Sequence, residues 1–470
     1  MLHGLILRPR RARTSPGVGI ARGRCAYHEA HPGFPTSHSN GGSMPRLVAG
    51  ISSAASLALV VTLVPGASAQ EPASTPPNNP WANVQAWETA TVQRVVDGDT
   101  VIVNDEVTGA QSRVRLLGIN APEKPTRKKP GNCGGAEAEK WLTALLPEGT
   151  RVRLLSSDRA STGKKQRPQR VVLAYNGKTG QFDQDVAWGM AERGWGTWFT
   201  VPSEASMSSL YRAAIEGAQQ RRVGMWNPEL CGAVEQPEAS LSLRISRGNG
   251  KVADETVTVR NTGGTTVDLT GWMLRDAGNA GWYTFPGGSV LTPGDYRTVH
   301  TGKGRDRRPT GHDVYRDRKK ELYVDPGREP NLVGDGAYLL DRAGNFRSWR
   351  EYPCTSRCGP DEGMGTLVIE DLSLGRKKGK KRAQTQFIRV ANRGASELCL
   401  DGYRMQTQGL TYWFPSGTCL APGATFTLHG GDRRSWSRAT YLDRKKPMFY
   451  LNGSAQIISD RDQVITERFW

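Results

Sequence analysis

The sequence predicts a mainly β, multidomain protein: an α+β first domain followed by two β-sandwiches. Three observations carry that expectation. The chain holds 55 Gly and 28 Pro among its 470 residues, a turn-rich composition that suits many short strands. Its first folded stretch alternates apolar and polar residues with a period of two, as half-buried strands do. Its second half carries an internal repeat with almost no helical periodicity. Length adds a soft expectation of about three domains at roughly 150 residues each. An apolar content of 37% with 13 Trp excludes a wholly disordered chain. No stretch after residue 69 reaches the ~20 apolar residues that span a bilayer.

In chain order, residues 1–69 read as an N-terminal extension and secretory signal. Met44-Pro45-Arg46 opens a short basic segment, Leu47 to Val64 is apolar, and Ala67-Ser68-Ala69 gives a small-residue cleavage pattern. Translation is expected to start at Met44 and cleavage to follow Ala69, so that a secreted chain begins at Gln70. Residues 70–80, polar and rich in Pro, form a tether. Domain one spans 81–232. Val92, Val95, Val101, Val103, Val114 and Leu116 mark its strands. Ala136–Leu146, Gln184–Arg193 and Met207–Arg222 read as three helices, stopped by Pro147, Gly194 and Gly224.

A linker from Gly232 to Ala239 leads to the repeats, expected at 239–352 and 366–470 with a hinge at 353–365. Asn261-Thr-Gly263, Leu269, Gly271-Trp272, Phe285-Pro286 and Pro293-Gly294 recur as Asn392-Arg-Gly394, Leu400, Gly402-Tyr403, Phe414-Pro415 and Pro422-Gly423. Each copy is roughly the length of a β-sandwich of Gly- and Pro-turned strands.

The formal charge is +18, and removal of residues 1–69 leaves 56 basic against 44 acidic side chains, +12. Six cysteines remain, an even number that favours disulfides in an exported chain. They fall by region into Cys133 with Cys231, Cys354 with Cys358, and Cys399 with Cys419. Zinc is the weaker reading, because the only histidines after residue 69 are His300, His312 and His429 and no Cys-x-x-Cys occurs.

Domain one contains no histidine. That excludes a Ser-His-Asp hydrolase, a His-metal nuclease and any His general base there. Its acid–base groups are carboxylates, in two clusters. One is Val96-Asp97-Gly98-Asp99-Thr100, between two strands. The other is Arg115-Leu116-Leu117-Gly118-Ile119-Asn120-Ala121-Pro122-Glu123, at the end of a third strand. Asp and Gly build turns everywhere, so Asp97 and Asp99 alone are weak evidence. A hard carboxylate suits Ca²⁺, while a nearby Arg and Glu offer one cation for a phosphate and one base for water.

Val96–Thr100 and Arg115–Glu123, with Arg170 ahead of Val171-Val172-Leu173-Ala174-Tyr175, resemble the thermonuclease (staphylococcal-nuclease-like) family over residues 86–231. Tyr211, Ala218 and Gly224-Met225-Trp226 resemble its closing helix. The resemblance implies a five-stranded OB-fold β-barrel with three helices and Ca²⁺-dependent hydrolysis of DNA or RNA to 3′-phosphorylated products. It implies that Asp99 binds the metal, with Asn120 and the Ala121 backbone carbonyl completing the protein ligands. Glu123 corresponds to the general base, and Arg115 and Arg170 to the phosphate-holding pair, with Arg167 as the alternative to Arg170. Two departures matter. Asn120 stands where the family has a second aspartate, so weaker Ca²⁺ binding is expected, and Pro168-Gln169-Arg170 replaces Tyr-Gly-Arg. Lys124, Arg127 and Lys128, in a basic loop, are expected to bind substrate.

Val257–Asp276, Tyr283-Thr-Phe-Pro-Gly-Gly and Leu291-Thr-Pro-Gly resemble lamin tail domains, which implies two immunoglobulin-like β-sandwiches, the second divergent. Neither copy carries a carboxylate–arginine cluster like that of domain one. The basic runs Arg305–Arg308, Arg316–Lys320 and Arg376–Arg382 suit a grip on nucleic acid or anionic envelope polymers. The expectation is a monomeric secreted nuclease with binding or tethering modules. The rival is a non-catalytic nucleic-acid-binding or envelope-associated protein.

Overall fold

The computed structural model describes residues 87–127, 131–157, 167–199, 204, 208–248, 251–279, 282–304, 311–323, 334–354, 358–375, 380–431, 439–442 and 446–470. The expected signal segment, the tether, Lys128, the run Arg305–Arg308 and part of Arg376–Arg382 lie outside the described residues. All described residues fall within one compact unit, Ala69–Trp470. Among them no helix is long and apolar enough to cross a membrane.

The first region comprises β1 (Trp87–Asp97), β2 (Thr100–Asp105), β3 (Gln111–Leu116), β4 (Gly118–Asn120), α1 (Gly135–Leu145), β5 (Arg151–Leu155), β6 (Gln169–Asn176), β7 (Gln181–Asp185), α2 (Val186–Glu192), β8 (Thr197–Phe199) and α3 (Ser208–Arg221). Strand β1 pairs with both β2 and β5, β2 with β3, β5 with β6, and β3 with β6 in parallel. Those five strands close a ring, which leaves β7 as an outer neighbour of β6 and removes an exposed sheet edge. Val92, Val101, Val103, Val114 and Leu116 are buried in its core. The alternation in the sequence therefore marks the inner face of the barrel. Helix α2 begins two residues later than its apolar pattern suggests. Asp185 ends β7 and caps α2, its carboxylate accepting from Trp188 N at 3.0 Å.

The first repeat runs β9 (Leu241–Ser246), β10 (Thr256–Asn261), β11 (Val267–Asp268), β12 (Met273–Asp276), β13 (Trp282–Thr284), β14 (Val290–Leu291), β15 (Tyr296–His300), β16 (Asp313–Tyr315), β17 (Asp335–Leu340) and β18 (Phe346–Tyr352). The second runs β19 (Leu367–Ser373), α4 (Lys380–Thr385), β20 (Phe387–Asn392), β21 (Leu398–Cys399), β22 (Arg404–Thr407), β23 (Leu410–Trp413), β24 (Cys419–Leu420), β25 (Thr425–His429), β26 (Ala439–Tyr441), β27 (Ser454–Ile458) and β28 (Val464–Phe469). Where the second copy has α4 between β19 and β20, the first has a single 3-10 turn, Val252–Asp254, between β9 and β10. The sheets otherwise correspond strand for strand: β16-β15-β10-β9, β11-β14 and β13-β12-β17-β18 against β26-β25-β20-β19, β21-β24 and β23-β22-β27-β28. In each copy the two four-stranded sheets contribute to one apolar core.

The repeated Asn-x-Gly has a local cause. Asn261 Nδ2 donates to Thr265 O at 2.7 Å and Leu291 O at 3.1 Å, while its Oδ1 accepts from Gly263 N at 3.0 Å. Asn392 repeats all three bonds with Ser396 O, Leu420 O and Gly394 N. The side chain thus satisfies backbone groups that the turn would leave bare.

The segments read as linker and hinge are tied down. The Glu235 carboxylate accepts from Arg342 Nε at 2.8 Å and Trp272 Nε1 at 3.1 Å. Asp361 is buried, with Arg350 Nη2 donating to it at 2.8 Å. A polar, Pro-bearing composition suggests a free connector, but ion pairs to the first repeat override it here. The first repeat also shares the barrel's core: Ala277, Tyr338, Leu340 and Phe346 belong to the same apolar cluster as Val92 and Leu116. The Trp226 ring lies 4.7 Å from Phe346, 5.1 Å from Trp349 and 5.9 Å from Tyr338. The second copy attaches to the first through buried charge: Arg350 Nε to Asp460 at 2.8 Å and Arg260 to Asp401 at 2.8 Å. The sulfurs pair as Cys133–Cys231, Cys354–Cys358 and Cys399–Cys419.

Candidate active site

The Asp97–Thr100 turn crosses from β1 to β2 at the end of the barrel where β3 gives way to β4. Gly98 is needed for that approach, since a Cβ there would lie 2.7 Å from both Ala121 Cβ and Ala138 Cβ. Gly118, at φ +84°, allows Tyr211 of α3 to pack against the β3–β4 bend; a Cβ would fall 2.0 Å from its ring. These two glycines explain the spacing of the motifs. They bring the turn, the bend and α3 together.

Asp99 is buried at the centre. Its Oδ1 is ion-paired with Arg115 Nη1 and accepts from Thr100 Oγ1 at 2.9 Å, and its Oδ2 accepts from Ala121 N at 3.0 Å. Arg115, also buried, donates through Nη2 to Asn120 Oδ1 at 2.8 Å, and its guanidinium lies 5.3 Å from the Phe199 ring centroid. Arg115 pairs with Gln169, and Leu116 with Arg170, in the parallel β3–β6 ladder. The strands therefore set the two arginines at adjacent rungs, with Arg170 buried and its Nη1 donating to Gln169 O at 3.0 Å. Arg167 Nη1 reaches Thr100 Oγ1 at 3.4 Å.

Glu123 is exposed on the following loop, which Asn132 braces: Glu123 N donates to Asn132 Oδ1 at 3.0 Å and Asn132 N to Glu123 O at 2.6 Å. Among the described residues its carboxylate has no hydrogen-bond or ion-pair partner, which leaves both oxygens open. It nevertheless sits close enough to act on Asp97. Burial, and then the neighbouring Asp99 and Glu123 carboxylates, push the Asp97 carboxyl up to about 6. Lys124, expected on substrate, is paired with Glu139 of α1 at 2.6 Å. Arg127 is exposed on the same loop. The structure thus knits Asp99, Arg115, Asn120 and Ala121 into one cluster, sets Arg170 on the neighbouring strand, and leaves Glu123 exposed on the loop that follows, within electrostatic reach of Asp97. Sequence reasoning passed over Phe199, whose only local signal is the β-prone Thr197-Trp198-Phe199 after Gly196.

The donor set fits a hard cation. Asp99, the Asn120 amide oxygen and the Ala121 carbonyl would all offer hard oxygen atoms to such an ion. Arg115 holds the Asp99 and Asn120 oxygens here, so a bound cation would share them with a guanidinium. Chemically, the cluster offers fixed positive charge, an open carboxylate and a hard-oxygen pocket within one end of the barrel.

Comparison with known proteins agrees with this geometry. Residues 113–228 match the family model described as staphylococcal nuclease homologue, and residues 236–354 match that of the Lamin Tail Domain. Curated relatives that it matches carry the name "Probable endonuclease LCL3". That of Colletotrichum graminicola is 31% identical over 145 residues, 30% of this chain and 50% of that protein. That of Leptosphaeria maculans is 33% identical over 120 residues, 25% of this chain and 38% of that protein. That of Uncinocarpus reesii is 30% identical over 128 residues, 26% of this chain and 40% of that protein. The chain spans half or less of the length of these relatives. It therefore carries a staphylococcal-nuclease-like domain followed by a lamin tail domain.

Proposed function

We propose that this chain, a staphylococcal-nuclease-like domain followed by a lamin tail domain, is a secreted nuclease that hydrolyses phosphodiester bonds of DNA or RNA. The observation that carries the reading is the Asp99–Arg115–Asn120 cluster, one rung from Arg170 and beside an unpartnered Glu123 carboxylate. The finer architecture that goes with it is an OB-type barrel with two immunoglobulin-like sandwiches, the second a divergent copy of the first.

A phosphodiester is anionic before attack and gains charge during it. Arg115 and Arg170, held by buried strands, meet that charge with no reorganisation of their own. Glu123 takes a proton from water at its open carboxylate, and the water oxygen attacks phosphorus. The bond from phosphorus to the 5′ oxygen breaks, that oxygen takes a proton from solvent to leave as a hydroxyl, and a 3′-phosphate remains. Asp99 and Asn120, with the Ala121 carbonyl, would hold Ca²⁺, which when bound would supply further positive charge to the phosphate. One carboxylate in place of two makes that site weak, so activity is expected to need Ca²⁺ in excess and to vanish with a chelator.

The test is digestion of plasmid and RNA by the full chain. Glu123→Gln is expected to lower kcat by about 10²–10⁴-fold, with the circular dichroism spectrum and Tm unchanged. A fully active Glu123→Gln protein would remove the proposed base.

A further inference from the structure

Behind the Glu123 loop lies a cavity of about 130 Å³, walled on one side by Pro122, Asn132 and Cys133 and on the other by Arg275 and Trp282 of the first repeat. Its volume equals that of about four waters, too small for a drug-sized ligand but sufficient for one phosphate group. Arg275 is only 3% exposed and its Nε has no hydrogen-bond partner. Among the described residues its guanidinium makes no ion pair; it lies 5.3 Å from the Phe346 ring and 5.8 Å from the Tyr338 ring. A buried cation without an anion is costly, and ring faces offset only part of that cost. Burial lowers its pKa, against the influence of Tyr338, Asp276 and Glu123, which places the proposed base within its electrostatic reach. Arg342 at the cavity is already paired with Glu235, so among the described residues that line it Arg275 is the cation left for a ligand.

The internal repeat supplies a control. Arg275 stands opposite Trp282 across β12 and β13. The matching pair in the second copy, across β22 and β23, is Gln406 with Thr411. The same scaffold positions carry a cation and an aromatic ring only in the copy that adjoins the Glu123 loop. Trp282 is 40% exposed.

We propose that the lamin tail domain supplies a substrate subsite for the nuclease: Arg275 receives a backbone phosphate of the bound strand, and Trp282 stacks on a neighbouring base. This rests on the nucleic-acid substrate proposed above and adds to it which part of the chain holds the flanking nucleotides. Guanidinium groups are suited to phosphate oxygens, and indole faces stack on any base without sequence preference.

The experiment measures binding, so that it stays independent of turnover. In the full-length Glu123→Gln protein, the Kd of a fluorescein-labelled single-stranded DNA 12-mer is followed by anisotropy across salt concentrations. Arg275→Gln is expected to weaken binding by at least about 10-fold and to reduce the salt slope by about 0.7, one phosphate contact on a single strand. Trp282→Ala is expected to weaken binding by about 5- to 150-fold with little change in slope. Two folded variants with unchanged Kd and slope would overturn the subsite. Should Arg275→Gln not fold, Trp282→Ala at the exposed edge decides alone, and an unchanged Kd overturns the proposal. A wild-type chain that binds through Arg275 and Trp282 but cuts nothing would refute the nuclease reading and leave the subsite standing.

Discussion

The two repeats share a scaffold and differ in what one sheet face presents. In the first, a row runs Trp282–Arg275–Tyr338–Trp349 across β13, β12, β17 and β18. Tyr338 and Trp349 meet Trp226 of the barrel region. In the second, the same row reads Thr411–Gln406–Gln456–Glu467. Thr411, Gln406 and Glu467 are exposed, and Gln456 Nε2 donates to Glu467 Oε1 at 3.0 Å. One row is a docking face and the other a solvated one. The lesson is that the fold of a repeat fixes which side chains share a face, whereas four residues decide whether that face is interior or surface.

The largest effect expected from this contrast follows truncation. A chain ending at residue 365 keeps the aromatic row over Trp226 and should still unfold cooperatively on heating. A chain ending at residue 232 strips Tyr338, Leu340 and Phe346 from the barrel's core and should lack a cooperative transition in circular dichroism. A truncated barrel with the full-length Tm would show that the row is decoration. Next in size, Trp226→Ala is expected to cost about 3–5 kcal/mol by chemical denaturation, as for other large-to-small core changes.

A pH dependence separates the copies more finely. Glu255, fully buried before β10, accepts from Leu322 N and Tyr323 N, each at 2.9 Å. At the equivalent place before β20, Gln386 Oε1 accepts from Met448 N at 2.6 Å and Phe449 N at 3.3 Å. The second copy thus makes the clamp without a titratable group. Burial pushes the Glu255 carboxyl up to about 7 from an ordinary value of 4.5. Between those values the native state keeps a proton that the unfolded chain has released, so stability should fall as pH rises from about 4.5 to 7. Glu255→Gln should reduce that slope in a series of Tm measurements, leaving the part owed to Asp97, and an unaltered slope would reassign it elsewhere. The smallest effect is expected from Gln456→Leu, on the solvated row, whose stability should stay within about 0.5 kcal/mol of the parent.

Much of this was legible in the residues themselves. Period-two valines gave the barrel's inner face, Asp97-Gly98-Asp99-Thr100 and Arg115–Glu123 gave the cluster, and regional grouping gave the three sulfur pairs. These signals are local, because a turn or a strand carries its own chemistry. The docking row was not legible. Its members lie on four strands between residues 275 and 349, and alternation says that they share a face without saying what that face meets. The strap at Glu235 was hidden for a related reason: composition cannot distinguish a polar connector in water from one whose carboxylate has found Arg342 and Trp272. Lys124 likewise reads as a free cation until Glu139 is folded beside it.

The Cys133–Cys231 bond joins two positions 98 residues apart, one on the loop that follows Glu123 and the other just beyond α3 and Trp226. A protease that severs one peptide bond anywhere inside that span makes two fragments which remain a single covalent molecule. Such a wound severs the backbone yet cannot release either piece.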